Sequence, residues 1–388
     1  MNTNYHILYY SWDEYTYEDC IECMRQLGYT VDVITGSMKD YGVDEQFFSK
    51  IKNCCLTRHY DFIFSFNYFP LLSRAADDCQ IRYISWVFDS PHLTLDSVTL
   101  PNTCNAVFLF DHYLYQKYRE KGITTVHHMP LAYNRKRIEN KINDIVPHYN
   151  HEITFLGKLY DDEFNFFEQI HYLPPKLEGY IQAIIDAQQF IYGLDFCDLL
   201  FDHKKCMEMA AHVQIDLGDQ FFDHRDEIFR NMIRKKITVM ERRQILDMIG
   251  QTYAVDLYST KAPKQLPVNY QGYADYISQM PEIFYTSKIN LNMTLRSIIT
   301  GIPLRIIDIL GSHGFLLTNY QAELTEYFTN GKDLVWYESR EDLMDKIAYY
   351  LDHDNEREQI AIHGNEKVQK YFSYTELLPK LIYSALHT

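Results

Sequence analysis

The run from Ser287 to Tyr320, SKINLNMTLRSIITGIPLRIIDILGSHGFLLTNY, brings an arginine, a Gly-x-Pro turn, a second arginine and an aspartate close together. Gly301 is a point where backbone can approach a ligand closely. A helix starting near Pro303 aims its unpaired N–H groups and the positive end of its dipole at whatever lies ahead of it, an arrangement that holds a diphosphate. Arg296 and Arg305 are placed to add charge-assisted hydrogen bonds to that group. Asp308, about one turn into the helix, suits the vicinal hydroxyls of a ribose, which donate to a carboxylate. A nucleoside diphosphate is the ligand class these residue types describe.

A second set of polar residues lies at the ends of apolar runs in the first third of the chain: Ser11, Trp12 and Asp13, then Asn67 and Tyr68, then Asp89, Ser90 and Pro91. Removing a proton from a hydroxyl nucleophile requires a carboxylate or imidazole within hydrogen-bond reach. Asp89, at a strand end and fixed by Pro91, is the first candidate for that base and Asp13 the second; His127 and His128 rank below them. Trp12, Asn67, Tyr68 and Trp86 are expected to face the molecule on which the base acts. An aspartate in such a position is more often a turn or helix-capping residue, so position alone does not make it catalytic.

Elements must hold these two sets. Tyr5–Tyr10 reads as a buried strand, Glu14–Leu27 as an amphipathic helix closed by Gly28, and Thr30–Ile34 as the next strand. Strands at Asp61–Phe66, Ile81–Trp86, Ala106–Phe110 and Thr124–His128 follow, with helical segments between several of them. This alternation predicts a mostly parallel sheet covered on both faces, whose ligands bind outside the carboxyl ends of its strands. From Tyr133 to Asn150 the chain turns polar and basic, which marks a domain boundary. A second alternating series has strands at Glu152–Leu156, Ala254–Tyr258, Ile289–Leu291 and Phe315–Thr318, and the stretch Glu341–Leu386 is helical. The expected fold is α/β, with two Rossmann-like domains facing a central cleft: an amino-terminal domain over residues 1–140, and a carboxyl-terminal domain over 151–370 with a helical insertion at about 161–249. Residues 371–388 are expected to return as a helix to the first domain.

The 388 residues carry 37 Lys and Arg against 53 Asp and Glu, a net charge of −16, which argues against a nucleic acid as partner. The densest basic cluster is Arg234, Lys235 and Lys236 with Arg242 and Arg243. The eight cysteines are scattered, and Cys20 and Cys23 form a lone CxxC inside a helical pattern, so all read as reduced thiols. The start MNTNYHILYYSW has no secretory pattern and no apolar run reaches the length of a membrane span, which together predict a cytoplasmic protein. The pair Asp161–Asp162 lacks the context of a metal site, and no metal is expected.

The run from Ser287 resembles the carboxyl-terminal domain of the spore-coat-type, CgeB-like branch of the GT-B glycosyltransferases, with its pattern S-K-x-x-L-N, G-x-P-x-R-x-x-E and G-x-x-L-x-T. The matching residues here are Ser287, Lys288, Leu291, Asn292; Gly301, Pro303, Arg305, Asp308; and Gly314, Leu316, Thr318. Glu341–Gly364, ISWVFDSPH (Ile84–His92) and HMPLAYN (His128–Asn134) are similar to the same family, and Asp161–Ile249 is the part least covered. The resemblance implies a metal-independent hexosyltransferase that takes a sugar from a UDP-, GDP- or dTDP-sugar, without a further cofactor, to a glycan, protein or small-molecule acceptor. By position it implies that Lys158 meets the diphosphate and that Gly272 and Tyr273 lie against the base, with Tyr258 also on the donor side. Asp308 stands where the family usually has the ribose-binding Glu, and Thr300 where many retaining members have a second Glu, which weighs against retention. A catalytically silent relative that binds a nucleotide or glycan is the alternative, and a nucleotide-sugar epimerase a third reading without an acid–base set to support it. Sugar, base, acceptor and oligomeric state are not written in the sequence.

Overall fold

Short apolar runs become the strands of two all-parallel sheets in the computed structural model, which describes residues 4–146, 148–161, 167, 170, 172–213, 221 and 225–387. The chain divides into two compact units. Unit 1 contains β1 (His6–Ser11), β2 (Thr30–Thr35), β3 (Phe62–Phe66), β4 (Arg82–Val87), β5 (Asn105–Leu109) and β6 (Val126–His128), in the order β2-β1-β3-β4-β5-β6. β3 and β5 are buried along their whole length, as strands covered on both faces must be. The covering helices are α1 (Tyr17–Gln26), α2 (Glu45–Thr57), α3 (Pro70–Cys79) and α4 (His112–Glu120). Asp44 and Asp111 start α2 and α4 by accepting the N–H groups of Phe47 and Tyr113, and Gly28 (φ 88°) ends the turn after α1 in a conformation open to glycine.

Unit 2 contains α5 (Arg135–Ile142), β7 (His151–Leu156) and a helical segment of α6 (Pro175–Gln188), α7 (Phe196–Leu200), α8 (His203–Ala210) and α9 (Arg225–Gly250). It continues with β8 (Val255–Tyr258), β9 (Asn269–Gly272), α10 (Met280–Tyr285), β10 (Ser287–Asn292), α11 (Leu304–Gly311), β11 (Leu316–Asn319), α12 (Leu324–Tyr327), β12 (Val335–Tyr337), α13 (Arg340–Asp352) and α14 (Asp354–Tyr371). Its sheet order is β12-β11-β10-β7-β8-β9. The sequence reading missed α5, β9 and β12. β9 is an edge strand whose residues are largely exposed, so no apolar run marks it.

α9 has no single apolar face, and its burial explains why. Phe229, Ile233 and Ile237 of its first half pack with Ile181, Ile185, Phe201 and Met209 in a small core of the helical segment. Ile245, Leu246 and Ile249 of its second half pack into the core of the sheet. One helix therefore ties the segment to the sheet. Arg234, 2% exposed, pairs with Asp195 (2.5 Å), Asp198 (2.9 Å) and Glu227, fixing α7 to α9. The last helix, α15 (Tyr374–His387), packs on α1 and β4 of unit 1: Tyr374 lies edge-on to Trp86 (5.8 Å), and Arg82 donates to the carbonyl of Ala385 (2.7 Å).

Arg234→Met should destabilise the helical segment by about 3–5 kcal/mol, because three carboxylates lose their buried partner. Limited proteolysis with urea titration checks this: cleavage within residues 172–213 should precede loss of the sheets.

Candidate functional site

In each sheet the strand order reverses at one point, between β1 and β3 in unit 1 and between β7 and β10 in unit 2. The loops part there, and the gap outside the carboxyl ends is where an open α/β sheet takes its ligand.

In unit 2 that gap is spanned by Arg242 from α9. Its guanidinium donates to the carbonyl of Lys158, just past β7 (2.5 Å), and to that of Met293, just past β10, and lies against the rings of Phe155 and Tyr160 (5.4 and 5.2 Å). Arg242 is 7% exposed, and its Nε has no hydrogen-bond partner among the described residues. Burial, with the positive charge of Arg305 nearby, pulls its pKa below the usual guanidinium value in spite of Tyr160 and Glu241. Arg305, on the first turn of α11, contacts the sulfur of Met280 (2.9 Å) and the ring of Phe284 (5.5 Å), and makes no ion pair among the described residues. Lys158 is exposed, likewise without an ion pair among those residues. Two guanidinium groups and the amino end of α11 thus share a place with no carboxylate hydrogen-bonded to either arginine among the described residues, which is electrostatically suited to an anion, and the loop after β7 adds the exposed Lys158. Arg242 was not among the residues expected there. The basic cluster was visible in sequence, but nothing in it distinguished the one arginine whose carbonyl partners lie 84 and 51 residues away.

Other expected donor residues fall differently. Arg296 is not available to a phosphate: it is bound to Glu241 by two hydrogen bonds (2.8 and 2.9 Å), donates to the carbonyl of Ile191 (3.0 Å) and stacks on Tyr192 (4.4 Å). Tyr258 turns away from the carboxyl edge, its hydroxyl 3.2 Å from Nε2 of His151, the first residue of β7. Asp308 is 1% exposed and accepts a hydrogen bond from the Tyr276 hydroxyl (3.0 Å), so a ribose reaches it only by displacing that tyrosine. Gly272 (φ 87°) ends β9, and Tyr273 beside it is 55% exposed. Gly301 is buried, and its carbonyl accepts from Gln321 (3.4 Å). A small recess of about 20 Å³ opens at the ends of β10 and β11, lined by Gln188, Gly193, Thr294, Arg296, Asn319 and Gln321. The hydroxyl of Thr300 donates to Glu323 (2.8 Å), a carboxylate only 3% exposed. A buried carboxylate therefore stands beside position 300 although the sequence has none there.

In unit 1 the gap is organised by Asn67 and Glu14. Asn67, just past β3 with φ 60°, donates from Nδ2 to Oδ2 of Asp89 (2.7 Å) and accepts the N–H groups of Phe88 and Asp89 (3.2 Å each). It holds the candidate base by one oxygen and leaves the other open. The helix expected from Glu14 begins instead at Tyr17, because Glu14 is a buried loop residue whose carboxylate accepts from the Tyr9 hydroxyl (2.8 Å), the Ser11 hydroxyl (3.1 Å) and the Trp12 N–H (2.9 Å). Burial raises its pKa against those donors. Trp12 donates from its ring to the Phe66 carbonyl (3.2 Å) and stacks on Phe88 (6.0 Å, 17°). Asp13 (φ 72°) is exposed beside it.

Tyr68 and Trp86, expected to face an acceptor, are both fully buried. The Tyr68 hydroxyl bonds Thr99 (2.7 Å), and Trp86 lies under Tyr374. His127 stacks on Phe108 (5.1 Å), and His128 lies edge-on to His112 (5.1 Å). Burial, reinforced by Arg82 and Arg119, lowers the His127 pKa. Cys20 and Cys23 are buried thiols of α1. Asp162 lies outside the described residues; Asp161 pairs with Arg243 (2.6 Å). Among the described residues no group of His, Cys, Asp and Glu could hold a metal ion, and no helix is long and apolar enough to cross a membrane.

Over nearly its whole length the chain superposes on a glycosyltransferase from Rickettsia africae (TM-score 0.54, 11% identity, 100% of this chain and 99% of the other). It superposes equally on HepE from Anabaena solved with UDP and glucose (0.51, 10%, 99% and 100%) and on sucrose-phosphate synthase from Thermosynechococcus elongatus (0.51, 11%, 99% of each). The chain has the GT-B fold. Residues 234–382 match the family described as Glycosyl transferase-like, a stretch that includes Arg242, Arg305, Asp308 and Glu323. No curated protein matches the sequence. The GT-B fold is shared over the whole chain, and its two sheets here carry a cationic gap in one unit and a carboxylate gap in the other.

Arg305→Ala should weaken binding of a nucleoside diphosphate by about 1.5–3 kcal/mol, the scale of a hydrogen bond to a charged group. It should leave the urea midpoint unchanged, since no carboxylate is left unpaired. Titration calorimetry beside a urea curve checks both.

Proposed function

We propose that the protein transfers a sugar from a nucleotide-sugar donor held by unit 2 to an acceptor hydroxyl held by unit 1, without a metal. The observation that carries this reading is the pair of guanidinium groups, Arg242 and Arg305, at the strand-order reversal of unit 2, with no carboxylate bound to either among the described residues. Arg305, Lys158 and the amino end of α11 neutralise the diphosphate as it leaves, and Arg242 sets the two loops between which it lies. Asp308 takes the ribose once Tyr276 swings aside, and Tyr273 covers the base. UDP and glucose bound to HepE, a neighbour in fold, support a nucleotide sugar as the ligand class.

The acceptor oxygen bonds to the anomeric carbon, the bond from that carbon to the diphosphate breaks, and the acceptor proton passes to Asp89. Asn67 leaves one oxygen of Asp89 open for it. Glu323, next to Thr300, removes the argument that this chain has no second carboxylate on the donor side. The motifs at Ser287, Gly301 and Gly314 support the CgeB-like branch, and eight cysteines in the thiol form are in keeping with a cytoplasmic setting. A nucleotide-binding module without turnover is the second reading, favoured by the cover that Tyr276 places over Asp308.

Titration with UDP, GDP, dTDP and CDP should find one that binds in the micromolar range, and binding by none sinks the donor assignment. With the cognate donor and an acceptor, Asp89→Asn should cut kcat by roughly 10²–10⁴, the contribution of a general base, with donor affinity unchanged. Wild-type binding without measurable transfer or donor hydrolysis would favour the module.

A further inference from the structure

We propose that the acceptor is an uncharged sugar whose ring lies on the Trp12–Phe88 stack, with one hydroxyl directed at Asp89. The inference rests on the reading of unit 1 as the acceptor side. It starts from a surface that is already built. Trp12 is held by its main-chain N–H on Glu14 and by its ring N–H on the Phe66 carbonyl. Phe88 is held by its N–H on Asn67 and by an edge contact to Phe66 (5.4 Å). The two rings lie nearly parallel and half-buried. A pair of aromatic rings fixed in this way offers a rigid apolar face with little ordering cost on binding. The partly positive C–H face of a pyranose complements the negative face of the aromatic rings.

Hydroxyl groups also need acceptors, and the same edge supplies them. The Asp13 carboxylate has no hydrogen-bond partner among the described residues, and Oδ1 of Asp89 has none either. Both carboxylates accept O–H donors strongly. Charge then narrows the class of sugar. The loops that leave the carboxyl ends of β1, β3, β4 and β5 contain Asp13, Glu14, Asp89 and Asp111 and no Lys or Arg. The cations at this edge of the sheet, Lys39 and Lys50, lie past β2, where Lys50 donates to the Thr35 carbonyl (2.7 Å), so a phosphorylated or carboxylated acceptor on the loops after β1 and β4 would meet like charge first. Donor and acceptor are thus sorted by sign, an anion at the cationic gap of unit 2 and a neutral polyol at the acidic gap of unit 1.

The test uses the full chain and saturation-transfer NMR with methyl glucoside, methyl galactoside and methyl N-acetylglucosaminide, each beside methyl glucuronide or methyl galacturonide. Neutral glycosides should bind through one face of the ring and the uronides at least several-fold more weakly. Trp12→Ala should lose roughly tenfold in glycoside affinity, the scale of an aromatic stacking contact; Trp12→Tyr should restore most of it, and neither should change nucleoside diphosphate binding. Uronides binding as well as neutral glycosides, or Trp12→Ala binding as wild type, would overturn the proposal. Diphosphate binding without any glycoside binding would overturn it while leaving the donor site standing, whereas failure of both ligands would remove the reading beneath it.

Discussion

A buried guanidinium that bridges two main-chain carbonyls is the contact on which unit 2 is organised. A parallel sheet whose strand order reverses leaves a gap between the two loops that part there, and the carbonyls at its rim have no strand partner. Arg242 closes the rim from a helix, donating to the carbonyls after β7 and β10 at once. A buried cation with carbonyl partners is only partly satisfied, and its unpartnered Nε leaves the gap electropositive. The side chain that braces the rim also makes it electropositive.

That brace depends on α9, and α9 depends on two cores. Its first half is held in the helical segment by apolar packing and by the Arg234 cluster, its second half by the sheet. The helical segment is therefore not an ornament on unit 2. Glu241, on the same helix, holds Arg296, and Arg296 holds the loop at Ile191, so the wall of the recess beside β10 is set by ion pairs that start on α9.

Unit 1 solves the same topological problem with different chemistry. At its reversal an amide and a carboxylate replace the guanidinium: Asn67 fixes the loop after β4, and Glu14 fixes the loop after β1. Both side chains accept main-chain N–H groups of the loops they fix, Asn67 those of Phe88 and Asp89 and Glu14 that of Trp12, and so hold an open carboxylate and an aromatic face in place. Tyr68 and Trp86, of types well suited to an acceptor surface, instead complete the core beneath it, because strand alternation and the return of α15 bury them.

The alternation of apolar runs and helical patterns determined by itself that the chain forms two parallel α/β sheets, because strands covered on both faces must be continuously apolar. Local spacing also placed Gly301, Pro303, Arg305 and Asp308 at the start of one helix, and Asp89 at a strand end. Edge strands such as β9 escaped, since an exposed strand needs no apolar run. What only the tertiary structure decided was which polar side chains are spent on other protein groups. Arg296 and Arg305 look alike in sequence, yet one is bound to Glu241 and the other has no carboxylate, and the partners that make this difference come from α9 and the loop after α6, far along the chain. For the same reason Glu14 reads as a helix residue in sequence though it lies in a loop, and Arg242, which is in a helix, looks no different from its basic neighbours. The periodicity of a helix reports which face is apolar, but a buried charge is defined by the groups that fold against it.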